Sequence, residues 1–228
     1  MTASSIGRAD KIIEGGFLDF NIYPYQSKVD NDTTFTINAF LNLSNRFSYF
    51  SLTNFSNETG DGKLPKIDTF FTEQNLRWQI SETSPFELTI QSNLRSGSNN
   101  DRHRLGIRWS LNKSEFLAPL LKKINLKYFI NWHAIQFDHQ ENYIWQLEHA
   151  FSMSFPYISD RLYLSGFADH TFNENLPATI PNNPIVAEAQ LGYKLFPNTF
   201  AVAEYRVNQY RRSNVNNIAV GFEYKKSW

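Results

Sequence analysis

NLKYFINWHAIQ, residues 125–136, alternates with a period of two. Leu126, Tyr128, Ile130, Trp132 and Ala134 fall on one face, while Asn125, Lys127, Asn131 and His133 fall on the other with Phe129. Successive side chains of a strand point to opposite sides, so the stretch reads as a strand with one apolar and one polar face. The same grammar runs outward in both directions. Residues 86–95 set Phe86, Leu88, Ile90 and Leu94 against Glu87, Thr89, Gln91, Asn93 and Arg95. Residues 102–111 set His103, Leu105, Ile107, Trp109 and Leu111 against Arg102, Arg104, Arg108 and Ser110. In residues 185–195, Ile185, Ala187, Ala189, Leu191, Tyr193 and Leu195 oppose Glu188, Gln190 and Lys194. Twelve such blocks occur, at residues 17–25, 33–43, 47–56, 69–80, 86–95, 102–111, 125–136, 143–153, 162–172, 185–195, 200–210 and 217–228, separated by clusters of Asn, Asp, Ser, Gly and Pro. Block 47–56 gives no clear faces, because Phe47, Tyr49 and Phe55 lie on one parity and Phe50 and Leu52 on the other.

Composition agrees with β structure. Of 228 residues 16% are aromatic, far above a disordered chain. Lys plus Arg and Asp plus Glu are 22 each, and a zero net charge removes the basic footprint that nucleic-acid binding needs. The absence of Cys excludes thiolate metal sites, disulfides and Cys nucleophiles. No run approaches the roughly 18 apolar residues of a membrane-crossing helix. Residues 1–16 contain no apolar signal core, so the chain reads as cytoplasmic or as a mature form carrying an added Met. The division expected is an N-terminal periplasmic segment, 1–16, and a single barrel domain, 17–228.

A soluble β-sandwich also alternates, but three features favour an enclosed polar face. Blocks of ten to twelve residues exceed the usual soluble strand of roughly five to six and suit a tilted membrane span of roughly nine to eleven. Aromatics sit at block ends (Phe47, Phe70, Phe86, Tyr143, Phe200, Tyr210, Trp228), where interfacial girdles lie. Connections also differ by parity: 44–46, 81–85 and 196–199 are tight, whereas 57–68 and 173–184 are long, although 96–101 is short. The expectation is an all-β, twelve-stranded antiparallel transmembrane barrel with short periplasmic turns. In residues 112–124, Phe116, Leu117, Leu120, Leu121 and Ile124 flank Lys122 and Lys123, which predicts one to two turns of amphipathic helix around Pro119. It reads as a connector under the barrel, a membrane-surface seat or a pore constriction.

On the polar parity the charges segregate. Arg77, Arg95, Arg102, Arg104, Arg108 and Lys127 come from blocks four to seven; Glu148, Asp169, Glu188, Glu204 and Glu223 come from blocks eight to twelve. In a closed barrel these walls would oppose each other and orient dipolar solutes; alternatively, ion pairs fill a small lumen. The segregation is incomplete, because Asp19, Glu73 and Glu87 lie by the basic wall and Lys194, Arg206 and Lys225 on the acidic one. Tyr23, Phe40, Phe71, Phe129, Tyr163, Phe167 and Tyr210 share this parity and could stack on a solute or fill space between ionic groups.

The chain ends with Ile218, Val220, Phe222 and Tyr224 alternating toward a terminal Trp228. This resembles the last strand of bacterial outer-membrane β-barrel proteins, which implies recognition by the barrel assembly machinery and a setting of outer-membrane lipid and lipopolysaccharide. In size it is similar to twelve-stranded nucleoside channels of the Tsx type, sugar-acid channels of the KdgM type, and outer-membrane phospholipase A. No residue-level match carries a functional residue over. The phospholipase pattern, His and Ser two apart, does not occur, and His149 and Ser152 fall on opposite faces. His103, His133, His139, His149 and His170 show no ligand spacing, so no metal or cofactor is expected. The function expected is passive diffusion of small polar solutes, zwitterionic or nucleoside- or sugar-like, through an outer-membrane channel. The alternatives are a lumen-filled structural or adhesion barrel, an outer-membrane lipid hydrolase, and a soluble ligand-carrying β protein.

Overall fold

The structure, a computed structural model, describes residues 12–24, 33–56, 69–98, 100–137, 143–212 and 214–228, without the side chains of 23, 24, 33 and 34. The alternating blocks form twelve strands: β1 (Ile13–Pro24), β2 (Thr33–Leu43), β3 (Phe47–Ser56), β4 (Thr69–Gln79), β5 (Phe86–Arg95), β6 (Arg102–Ser110), β7 (Leu126–Phe137), β8 (Trp145–Phe155), β9 (Ser159–Phe172), β10 (Ile185–Phe196), β11 (Thr199–Asn208) and β12 (Asn216–Ser227). Each pairs antiparallel with its sequence neighbours, and β12 returns to β1, closing the barrel. Closure leaves no unpaired strand edge. At the seam Gly16 and Trp228 exchange backbone hydrogen bonds of 3.2 and 3.1 Å. β1 begins at Ile13, four residues ahead of the block at 17–25, so part of the 1–16 segment is strand.

The barrel has a turn end, which carries both ends of the described chain, and a loop end. At the turn end Asn45 and Arg46 both have positive φ (60° and 68°), the backbone of a tight two-residue hairpin whose twist matches its strands. Asn198 turns the β10–β11 hairpin with φ 63°. Between β6 and β7 a 3-10 turn, Leu111–Lys113, leads into the helix α1 (Ala118–Lys123). Pro119 lies in its first turn, where a missing N–H costs nothing. Asn112 bonds both the Leu126 carbonyl and the Tyr128 amide, at 2.7 and 2.8 Å, and so fixes the connector to β7. Leu121 is buried, whereas Phe116 and Leu120 are exposed.

Burial is inverted relative to a water-soluble protein. Leu88, Ile90, Ile107, Trp132, Val220 and Phe222 are exposed on the outside, while Asn21, Asn75, Gln91, Arg104, Asn131, His133 and Glu148 are buried inside. Among the described residues the buried apolar cluster is only Val202 and Ala219, with Phe200 against it. A soluble sandwich would bury the first set. This arrangement belongs to a barrel whose outer solvent is lipid.

Two departures from strict alternation have local causes. In β3 the even residues face the lumen: Ser48, Phe50, Leu52 and Asn54 line its cavity. The opposite face carries polar groups that satisfy one another, with Tyr49 donating to Gln74, Gln74 to Thr72 at 2.5 Å, and Thr53 paired with Thr72 at 2.8 Å. In β7 a bulge intervenes, because Ile107 opposes Trp132 but Leu105 opposes Ile135. The extra residue switches parity. Ile135 and Phe137 therefore face outward, and Gln136 points inward to accept from Arg104 at 2.8 Å. Gly106 makes room for the bulge: a Cβ there would lie 2.2 Å from the Trp132 carbonyl oxygen.

Candidate functional site

One cavity of about 1840 Å³ occupies the lumen and is lined by residues of all twelve strands, from Glu14, Asn45 and Lys113 at the turn end to Arg102, Leu176 and Tyr210 at the loop end. All six basic positions (Arg77, Arg95, Arg102, Arg104, Arg108, Lys127) and all five acidic ones (Glu148, Asp169, Glu188, Glu204, Glu223) border it. So do Phe40, Phe71, Phe129, Phe167 and Tyr210 among the aromatics. Tyr163 also points inward, donating to Glu223 and accepting from Gln190 at 2.6 Å. Tyr210 lies beyond the end of β11, in the turn toward β12. The side chain of Tyr23 lies outside the described residues.

These groups do not form two bare walls of opposite sign. Arg108 pairs with Glu87 at 3.1 Å, directly across the β5–β6 ladder, with Lys113 3.8 Å from the same carboxylate. Arg206 holds Glu188 at 3.1 Å, and Lys225 lies between Asp19 and Glu223 at 3.8 and 3.9 Å. His133 stands 3.3 Å from Glu148. Arg104 donates to Gln91 at 2.6 Å as well as to Gln136. Four of the six residues that broke the segregation, Asp19, Glu87, Arg206 and Lys225, thus supply local counter-ions. A charge in a narrow lumen is stabilised most by a partner within a few ångströms, as Arg108, Glu188 and Glu223 have here.

Arg77 is the contrast. It is 5% exposed, makes no ion pair within 4 Å among the described residues, and lies over the Phe50 ring at 5.6 Å with its Nε unbonded to any of them. The aromatics likewise serve the cations: the Arg95 guanidinium lies 5.2 Å from the centre of Phe71, that of Arg108 3.8 Å from Phe129, and the Lys225 ammonium 4.3 Å from Phe17. Cation–π contact of this kind holds a guanidinium flat against the wall.

Sequence reasoning missed two features. Glu174, in the loop after β9, turns into the mouth of the lumen and engages Arg102 and Tyr210. On the outer face His103 Nδ1 lies 3.0 Å from Ser92 Oγ, a contact between adjacent strands that linear spacing does not reveal. Among the described residues no carboxylate pairs with His103.

No family model matches the chain, and no curated protein matches it in sequence. Solved structures match in fold. The KdgM porin is 14% identical, with 91% of this chain and 98% of that one covered, at a TM-score of 0.52. The NanC porin, in a rhombohedral crystal form, is 11% identical, with 92% and 99% covered, at a TM-score of 0.55. At such identities the likeness is one of fold: a closed, twelve-stranded antiparallel barrel.

Proposed function

We propose that the chain is a channel of a Gram-negative outer membrane through which small polar solutes diffuse passively, with the turn end periplasmic. The observation that carries this reading is a lumen cavity bordered by every strand and by both ends of the barrel. Its lining supports a wet interior. Among the described residues, Asn75 Oδ1, Asn131 Nδ2 and Oδ1, and Gln146 Oε1 are buried without a protein partner. Each would cost about 1–3 kcal/mol if left dry, a penalty that lumen water removes and a solid ion-paired filling does not. Both structural relatives are named porins, in agreement. Neighbouring basic and acidic groups suit zwitterionic or sugar-like solutes over large or strongly charged ones. The exposed apolar belt is the surface for outer-membrane lipid and lipopolysaccharide, and β12 is the strand offered to the assembly machinery.

Reversal potential under a salt gradient tests the lumen reading. Arg77→Gln removes a lumen cation and moves selectivity toward cations; Glu188→Gln removes a lumen carboxylate and moves it toward anions. Shifts in the same direction would remove these side chains from the path. The lipid-hydrolase alternative rests on the Ser92–His103 contact. Fatty-acid release from liposomes holding the folded protein, abolished by Ser92→Ala, would support it in place of the channel.

A further inference from the structure

The connection from β9 to β10, residues 173–184, is built as a strap across the loop end. Asn173, at φ 66°, donates through Nδ2 to the Tyr143 carbonyl at 3.2 Å, and the Ile180 amide closes a turn on the Pro177 carbonyl at 2.9 Å. Between these anchors Glu174 points inward with its side chain 0% exposed. One carboxylate oxygen pairs with the Arg102 guanidinium and the other accepts from the Tyr210 hydroxyl. Arg102 opens β6, which β7 and β8 separate from β9, whereas Tyr210 lies beyond β10 on the other side. Glu174 therefore reaches across the mouth instead of along one wall. Leu176 of the same loop borders the lumen cavity with both partners, and Arg95 adds a second positive charge to this corner. Burial, then the bond to Glu174, push the Tyr210 hydroxyl up to about 12, so it stays a donor at neutral pH.

A guanidinium with a hydroxyl beside it is a donor set for any carboxylate, and nothing in it is particular to Glu174. We propose that Arg102 and Tyr210 form a carboxylate-binding site at the loop-end mouth, which Glu174 fills as a tethered placeholder. A solute carboxylate arriving at the mouth displaces Glu174 and releases the 173–184 strap. The transport consequence rests on the channel reading; the site does not. A short tether gives its ligand an effective concentration in the millimolar range, so a free monocarboxylate at roughly 100 mM competes.

The chain has no cysteine, so Leu176→Cys supplies a single thiol on the strap. Its modification rate by uncharged methyl methanethiosulfonate is measured in refolded protein, with folding read by gel mobility before and after boiling. Adding Glu174→Gln is expected to raise the rate roughly tenfold, the ratio for losing one charge-assisted hydrogen bond, and Tyr210→Phe by less. Acetate at roughly 100 mM, against equal chloride, accelerates Leu176→Cys alone but not with Glu174→Gln. Equal rates with and without Glu174→Gln, or no difference between acetate and chloride, overturn the proposal. If Glu174→Gln does not fold, Tyr210→Phe decides on the same criteria. Conductance is recorded on the same samples: its absence alongside the expected rates removes the channel and keeps the site, and its presence with unchanged rates does the reverse.

Discussion

Arg108 shows what an inward-facing charge needs in this lumen. It ion-pairs with Glu87 at 3.1 Å and lies 3.8 Å over the Phe129 ring, and both partners of the pair are only about a tenth exposed. Arg108→Ser leaves Glu87 with Lys113 at 3.8 Å as its cation. We expect a loss of about 2–3 kcal/mol in a urea titration of refolded protein, below the roughly 3–5 of a dry broken pair because Lys113 and lumen water share the charge. Arg108→Lys should recover part of it, keeping the charge but losing the planar contact. A cost under about 0.5 kcal/mol would mean the pair is solvated like a surface one. Alternation alone directs Arg108 inward and away from Ile107 and Trp109. Its partner is not legible that way, because pairing depends on register across β5 and β6. Nor is the Glu174–Arg102 contact, since a loop has no period to read.

Among the elements, β7 and β3 separate what the pattern carries from what it does not. Through Ala134 the faces of β7 follow the sequence; beyond it the bulge has reversed them, and the sign of that reversal is on the neighbouring strand, at Gly106. Gly106→Val cannot be placed without moving the Trp132 backbone, so folded yield should fall steeply relative to the parent protein. Equal yields would mean the bulge relaxes. β3 is ambiguous in sequence because apolar Phe50 and Leu52 support lumen groups while Ser51 and Thr53 face outward. Lipid exposure of the outer face is tested on β5. Ile90→Arg, at a mid-strand position 51% exposed, should cost about 2–4 kcal/mol in lipid, whereas Asn42→Arg, lining the lumen, should cost under about 1. Equal costs would contradict the assignment of lipid to the outside.

At the scale of the whole molecule, the number of strands, their antiparallel order and the polarity of inside and outside follow from a period of two sustained over twelve blocks. The state of the lumen does not, because it depends on how far each inward side chain reaches and on what it meets there. Asn131 and Phe129 share a face, yet one is a buried amide with unpaired atoms and the other a seat for Arg108. Passive diffusion requires a continuous aqueous path through the lumen. Single-channel recording in planar bilayers tests it most directly, using protein whose unboiled gel band migrates apart from the boiled one. The prediction is discrete, ohmic current steps at each insertion. Repeated insertion of folded barrel without steps, at any salt concentration, would contradict the channel and leave the polar interior as packing.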